Sequence, residues 1–282
     1  MITNILIPTD FSRNAWQAVQ YALVLFKNHH CNIHLVNAFE FSDGMSFFVN
    51  PEPGDEEYET AKSEAEDNLA KALDMMALKP VNQKMHNVTC EAICGEPLKV
   101  IKDYVSKHPI DLLIMGTQGT SNTSEAVYGS VAVNVMEKMR ECPVIVIPLA
   151  AEIQQPAEIV FPSKFKSQFS DDNLSVLKFL SKRCNAEIKV LHIFKDGDSK
   201  LSEDQIKIKT NLLDLLNDCK ISYKQLHHQE VLNGINCFTE SRESDMLCFL
   251  NKKHAFFGSI LSRPLVNQIT FYTHVPILVL HE

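Results

Sequence analysis

The chain has 282 residues, of which 45% are apolar and 22% charged, a composition typical of proteins that fold around a buried core. It contains no run of about 18 apolar residues, so a membrane-spanning helix is not expected. The net charge of −8 argues against a large basic face that binds nucleic acid.

The first residues lack the basic region and long apolar core of a secretory signal, and we therefore expect a cytoplasmic location. The eight cysteines follow no zinc-binding spacing, and a chain of this length can bury a core without disulfides. Reduced, structural thiols are predicted, and no metal site.

The first half alternates short apolar runs with amphipathic segments. The apolar runs predict five strands, at Ile2–Pro8, Ile33–Phe39, Val88–Ile93, Leu112–Met115 and 143–148. The segments between them predict four helices, at Ala15–Lys27, Glu56–Leu78, Pro97–Lys107 and Ser130–Arg140. Apolar strands that alternate with helices indicate a parallel sheet covered on both faces.

A long loop is expected at residues 41–55, a length typical of loops that cover a site. Phe41, Phe47 and Phe48 in this loop either cap a bound base or pack within the loop.

Glycines follow the fourth strand with the spacing G-x2-G-x9-G-S, formed by Gly116, Gly119, Gly129 and Ser130. The motif begins where a buried strand ends and finishes where an amphipathic helix begins. Glycines allow close approach of the backbone to a ligand, and a helix N-terminus offers unpaired N–H groups and partial positive charge. The motif therefore predicts a phosphate-binding loop, although it is neither Walker A nor the dinucleotide fingerprint.

The second half repeats the same order of elements, which predicts a tandem pair of domains, residues 1–150 and 151–282. The segment from Gly95 to Asp111 spans 16 residues and the matching segment from Gly234 to Asp245 spans 11. This difference predicts a shorter third helix in the second half. His34 and His192 are expected at matching places in the two second strands.

A doubly wound sheet binds ligands beyond the carboxyl ends of its strands, where the strand order reverses. The exits of the first, second and fourth strands and the glycine motif meet at that edge. A purine is expected against Ala38 and Met115, with Asp10 bonded to a ribose hydroxyl or the base. Phosphates then reach the N–H groups of Gly129, Ser130 and Val131.

The chain resembles a tandem universal stress protein over essentially its whole length. The resemblance rests on residues 4–12, residues 111–119, the glycine spacing and residues 142–148. It implies an α/β fold of two doubly wound, five-stranded parallel-sheet domains of the adenine-nucleotide α-hydrolase type, paired through their fifth strands. It also implies binding of ATP, or of AMP or ADP, either with or without an accompanying Mg2+ ion. The positions that match the family's nucleotide contacts are Pro8, Thr9, Asp10, Ala38, Met115, Gly116, Gly119, Gly129, Ser130 and Val131.

The second half departs from this pattern at nearly every such position. Leu250, Lys253, Ser262 and Arg263 replace the motif, and Lys164 takes the place of Asp10. Side chains at glycine positions block close backbone approach, so one nucleotide site per chain is predicted. The basic residues Lys252, Lys253, His254 and Arg263 either bind an anion in another way or form a solvated loop.

Three functions remain open from the sequence. The leading hypothesis is a stress-response or signalling module that binds one adenine nucleotide and presents a surface to an unidentified protein partner. The alternatives are a slow ATPase or other nucleotide-dependent enzyme, and an interaction protein with a vestigial motif. Pairing of the two halves is expected, and further homodimerisation is left open.

Overall fold

The computed structural model describes residues 2–40, 52–79, 86–119, 129–195, 200–251 and 274–281. The elements of the first half are β1 (Asn4–Pro8), α1 (Arg13–Leu25), β2 (Cys31–Phe39), α2 (Glu56–Ala77), β3 (His86–Cys94), α3 (Pro97–Lys107), β4 (Leu112–Gly116), α4 (Ser130–Lys138) and β5 (Val144–Ile147). Those of the second half are β6 (Glu158–Pro162), α5 (Asp171–Cys184), β7 (Glu187–Phe194), α6 (Glu203–Leu215), β8 (Ile221–His227), α7 (Val231–Arg242), β9 (Met246–Asn251) and β10 (Ile277–His281).

The strands form one ten-stranded sheet in the order β3-β2-β1-β4-β5-β10-β9-β6-β7-β8. Every pair of neighbouring strands in this sheet is parallel except β5 with β10, which is antiparallel. Two five-stranded parallel sheets thus meet through their last strands. The expected α/β fold, paired through the fifth strands, is confirmed; the domain boundary at residue 150 stays a prediction.

Helices cover both faces of the sheet and enclose two apolar layers. One layer lies under α1, α2, α5 and α6, and the other lies under α3, α4 and α7. The central strands are buried on both faces; all four residues of β5 are fully buried, for example. This double burial explains why the strands read as continuous apolar runs.

Equivalent aspartates hold the start of the first strand in each half. Asp111 Oδ2 accepts hydrogen bonds from the N–H groups of Thr3 and Asn4, at 2.8 and 2.9 Å. Asp245 Oδ2 accepts from the N–H groups of Ala157 and Glu158 at the same distances. Both halves therefore anchor their first strand through an aspartate at the equivalent position.

Two expectations about the second half are wrong. The third helix is not shortened, because α7 has 12 residues and α3 has 11. Gly95 precedes α3, whereas Gly234 lies within α7, where a Cβ would come within 3.2 Å of Ile193 Cγ2. Gly234 thus allows close packing of the helix on the sheet and does not mark a helix start.

His34 and His192 do not match either. The strand registers pair His34 with Leu6 and Lys189 with Val160, and these are equivalent positions in the two halves. His192 instead occupies the position of Asn37, one residue beyond the end of the first-strand pairing. The strand register, and not the residue type, decides which positions of the two halves are equivalent.

No helix among the described residues combines the length and the apolar character that crossing a bilayer requires.

Polar contacts flank the β5–β10 seam. Asn251 at the end of β9 is 2% exposed and donates to the Met136 carbonyl of α4 at 3.0 Å. At the end of β10, Arg140 Nη1 donates to His281 Nδ1 at 2.9 Å. His281 Nε2 is buried and makes no hydrogen bond within the described structure. Burial, followed by the Arg140 charge, lowers the pKa of His281 from 6.5 to about 4.

We expect His281 to make stability depend on pH. Because the folded-state pKa is lowered, the unfolded chain binds a proton between pH 6.5 and about 4 that the folded chain does not. Stability should therefore fall as the pH drops through this window, by up to about 1.4 kcal/mol per pH unit from this group. Urea unfolding at several pH values should show a shallower dependence for His281→Gln than for the wild type. His274→Gln, at an exposed position before the same strand, should keep the wild-type slope; equal slopes for all three chains would refute the assignment.

Candidate functional site

A cavity of about 340 Å³ lies beyond the carboxyl ends of β1, β2 and β4. The sheet order reverses here, since β2 lies on one side of β1 and β4 on the other. All ten predicted site residues line this cavity: Pro8, Thr9, Asp10, Ala38, Met115, Gly116, Gly119, Gly129, Ser130 and Val131. The fold thus brings together residues that are up to 123 positions apart in the sequence.

A tight turn after β1 positions Asp10. Thr9 Oγ1 accepts a hydrogen bond from the N–H group of Phe11 at 3.1 Å, and Phe11 has a φ of 62°. Asp10 Oδ1 accepts from the N–H group of Ser12 at 3.1 Å, and Ser12 caps α1 through Ala15 N. The carboxylate of Asp10 is therefore oriented by the backbone before any ligand arrives.

Asn14, to which no sequence motif pointed, connects this turn to the glycine loop. Its side chain donates to the Ile147 carbonyl at 2.9 Å and accepts from Gln118 N at 2.8 Å and Thr117 Oγ1 at 3.2 Å. Asn14 is 3% exposed. The signal in the sequence was an amide side chain at the start of the first helix, between Arg13 and Ala15.

Gly116, the last residue of β4, and Gly119, three residues further on, lie close to other parts of the protein. A Cβ at Gly116 would lie 2.8 Å from Asn14 Cγ and 3.0 Å from its backbone carbon. A Cβ at Gly119 would lie 2.7 Å from Asp10 Oδ2. These two glycines therefore let the loop approach Asn14 and Asp10 closely, a role in building the site that the phosphate argument did not foresee.

The third glycine leaves the N-terminus of α4 without a side-chain cap. Gly129 is the N-cap residue, with φ −71° and ψ 160°. Its N–H group, expected to meet a phosphate, instead donates to the Thr117 carbonyl at 2.6 Å, so that part of the expectation is wrong. The N–H groups of the first helical turn have no acceptor within the helix. They and the helix dipole favour an anion at this end of the cavity.

The opposite wall of the cavity is apolar. It is formed by side chains of β2, α3 and β4, namely Val36, Ala38, Val100, Ile101 and Met115. The carboxylates of Asp10 and Glu40 are the only charged groups among the described lining residues. The cavity thus combines an apolar wall, two carboxylates and a positively polarised backbone.

The second half keeps the turn and changes the site. Ser163 Oγ accepts from Phe165 N at 3.1 Å, and Phe165 has a φ of 50°, which repeats the geometry of Thr9 and Phe11. Between them Lys164 replaces Asp10, and Leu250 on β9 replaces Gly116. The residues at 252–254 and 262–263, and the phenylalanines at 41, 47 and 48, lie outside the described residues.

Comparisons with known proteins agree with this architecture. A family model described as the Universal stress protein family matches residues 1–148. The chain is 30% identical over 145 residues to universal stress protein MJ0531 of Methanocaldococcus jannaschii, covering 51% of this chain and 80% of that protein. It is also 30% identical over 148 residues to universal stress protein Sll1654 of Synechocystis, covering 52% and 87%.

The fold of the whole chain matches a solved structure. A universal stress protein from Archaeoglobus fulgidus aligns over 99% of this chain and 96% of its own, with a TM-score of 0.69 and 16% sequence identity. At this identity the similarity concerns the fold alone.

We expect Gly116 and Asn14 to be energetically coupled. Gly116→Ala introduces a methyl group that collides with the Asn14 amide, and Asn14→Ala leaves buried backbone groups unpaired; each should cost about 1–3 kcal/mol. In the double variant the amide is absent, so the loss should be smaller than the sum by at least about 0.5 kcal/mol. Urea unfolding of the four chains measures this difference. As a control, the losses of unfolding free energy caused by Gly119→Ala and Asn14→Ala should be additive, because the new Cβ at Gly119 meets Asp10 and not Asn14. Additive losses for Gly116→Ala and Asn14→Ala would contradict the close contact between Gly116 and Asn14.

Proposed function

Because the chain belongs to the universal stress protein family, we propose that its first half binds one adenine nucleotide in the cavity beyond β1, β2 and β4. ATP is the expected ligand, with AMP or ADP as variants of the same mode. One observation carries the proposal: ten residues selected from the sequence line a single cavity that ends at an uncapped helix N-terminus.

The cavity suggests how the nucleotide lies. The adenine ring packs against the apolar wall of Val36, Ala38 and Ile101. The ribose hydroxyls lie near Asp10, whose carboxylate the backbone already orients. The phosphates then meet the N–H groups of Ser130 and Val131 at the start of α4, where the helix dipole stabilises negative charge.

The chemistry of the cavity fits a phosphate bound by backbone groups. No lysine or arginine occurs among the described residues that line it, so charge neutralisation falls to the helix N-terminus and to any accompanying cation. If Mg2+ accompanies ATP, Asp10 and Glu40 are the described carboxylates available to it. The cation would offset phosphate charge.

Binding, and not turnover, is the function supported best. Attack of water on a γ-phosphate needs a positioned base and groups that stabilise the developing charge. Among the described lining residues only two carboxylates could act as a base, and Asp10 already accepts a hydrogen bond from Ser12 N. No specific observation favours the enzymatic alternative.

The exchange of Asp10 for Lys164 and of Gly116 for Leu250 supports one site per chain. A leucine in place of Gly116 would fill the space that the Asn14 contact requires in the first half. The second half then acts as the internal partner of the first, joined through β5 and β10. This arrangement suits a module that reports nucleotide occupancy through its surface.

Ser130→Pro tests the proposal at the helix N-terminus. Proline is tolerated at the first helical position, and Gly129 has the extended backbone that precedes a proline favourably. The substitution removes one N–H donor and the hydroxyl, so the ATP affinity should fall by about tenfold to a hundredfold with little change in stability. Isothermal titration of nucleotide-free protein should give one site per chain for the wild type.

Two controls make the test specific. Ser130→Ala removes the hydroxyl alone and should weaken binding by no more than about tenfold. Glu203→Pro makes the same backbone change at the first position of α6, after an N-cap with φ −66° and ψ 163°, and should leave ATP binding unchanged. Absence of ATP binding by the wild type, or wild-type affinity in Ser130→Pro, would reject the proposal.

A further inference from the structure

A cavity of about 490 Å³ lies between the two halves, beside α5. Residues that precede β1, β4 and β5 form its wall on the side of the first half, and α5 with the end of β10 forms the other wall. Glu141, Asp172 and Ser175 at this cavity are exposed, so it opens to solvent. We call it the α5 cavity. It shares none of its described lining residues with the proposed nucleotide cavity.

The seam between β5 and β10 relates the two halves by an approximate two-fold axis. β5 starts directly after Pro143 and β10 directly after Pro276, so Ile145 and Leu278 are equivalent positions. These two residues pair with each other. A contact in which a position meets its own equivalent is the mark of two-fold symmetry. A feature on one side of the seam therefore has a counterpart on the other side.

The two helices that meet across the seam, α1 and α5, align through their N-caps. Ser12 caps α1 and Ser170 caps α5. When these serines are aligned, the positions six, seven, ten and eleven residues after the cap are buried in both helices. Equal numbers of residues after the two caps therefore identify equivalent positions.

In the first half, the segment that links the two halves, residues 148–156, covers one stripe of α1. Gln17 Nε2 donates to the Ala151 carbonyl at 2.7 Å. Gln155 Nε2 donates to the carbonyl of the last residue of α1 at 3.0 Å. Tyr21, which lies between these contacts along the helix, is 1% exposed. The linker is thus bonded to α1 at both ends of the stripe.

The same linker contacts the start of the second half. Gln154 Nε2 donates to Asp245 Oδ1 at 2.9 Å, and the N–H group of Ala157 donates to Asp245 Oδ2 at 2.8 Å. Ile153 packs against the apolar layer under α1 and α5. The linker therefore fills the space between α1 and the residues that precede β6 and β9.

The α5 cavity is the two-fold counterpart of the space that the linker fills. Gln17 and Tyr21 correspond to Ser175 and Phe179, which line the cavity. The burial differs accordingly, because Tyr21 is 1% exposed whereas Phe179 is only partly buried. Within the part of the chain that the structure describes, no segment covers α5 as residues 148–156 cover α1.

Asp111 lines this cavity at the position that Asp245 has beside the linker. Both aspartates hold a first strand through Oδ2. Asp245 also accepts from Gln154 through Oδ1, and no described donor takes that place at the partly exposed Asp111. Phe179 stacks on Phe26 with centroids 6.3 Å apart, so the cavity is continuous with the interface between the halves. It offers a carboxylate oxygen beside an aromatic surface.

We propose that the α5 cavity binds an extended peptide segment of another protein, in which an apolar side chain is directly followed by an amide side chain. The pair Ile153 and Gln154 of the linker is the internal precedent for this sequence. The apolar side chain of the bound segment lies against Phe179, and its amide donates to Asp111 Oδ1. Extended segments are commonly recognised through a few such side-chain pockets.

Isothermal titration of the full chain with a synthetic peptide of residues 148–156, acetylated and amidated, tests the proposal. It should bind at one site per chain with a Kd below about 1 mM. The Gln154→Glu peptide places a carboxylate against Asp111 and should bind at least about tenfold more weakly. No binding of the linker peptide would overturn the proposal, as would equal binding of the Gln154→Glu peptide or of a peptide with the same residues in scrambled order.

One variant of the chain locates the peptide. Ser175→Trp changes an exposed residue of α5 and fills the cavity, so the affinity for the linker peptide should fall by about tenfold or more. Ser106→Trp makes the same change at an exposed position of α3, on the opposite face of the sheet, and should leave the affinity unchanged. Wild-type affinity in Ser175→Trp would overturn the proposal.

The remaining outcomes are also decisive. If Ser175→Trp fails to fold, the comparison of the three peptides on the wild-type chain still decides. Dimerisation of the chain that Ser175→Trp abolishes and the peptide does not reverse would assign the cavity to a second copy and overturn the proposal. Ser130→Pro should bind the linker peptide as the wild type does, which distinguishes failure at this site from failure at the nucleotide cavity.

Discussion

The antiparallel pairing of β5 with β10 is the constraint on which the whole molecule depends. It joins Val144, Ile145 and Val146 to Val279, Leu278 and Ile277, all at most 3% exposed. A parallel five-stranded sheet alone would leave its fifth strand as an unpaired edge, with backbone groups open to another chain. The pairing buries both edges within one chain, and β3 and β8 become the edges of a ten-stranded sheet.

The two halves show which features the fold requires and which the site requires. Both keep an aspartate that holds the first strand, Asp111 and Asp245, and both keep the turn with a positive-φ phenylalanine. Only the first half keeps the glycine after the fourth strand and the carboxylate after the first. Fold and site vary independently here, as expected when function resides in residues grafted on a common scaffold.

The glycine motif has a different physical meaning from the one that its spacing suggests. Gly129 alone bears on the helix N-terminus where a phosphate is expected. Gly116 and Gly119 make room for Asn14 and Asp10, so that α1 and the loop after β4 fit together. The motif therefore shapes the cavity through contacts within the protein, and a loss of glycine there changes the fold of the loop before it changes any ligand contact.

The sequence by itself determined the element order and the tandem repeat, and its resemblance to the family implied the pairing through the fifth strands and the members of the candidate site. Apolar periodicity and the strand-loop-helix context of a glycine motif are local signals, and Gly116, Gly129 and Asp10 carry them directly. Only the tertiary structure decided the role of Asn14, the equivalence of His192 with Asn37 and the length of α7. Each of these depends on register or on distances between residues far apart in the chain, and one-dimensional spacing contains neither.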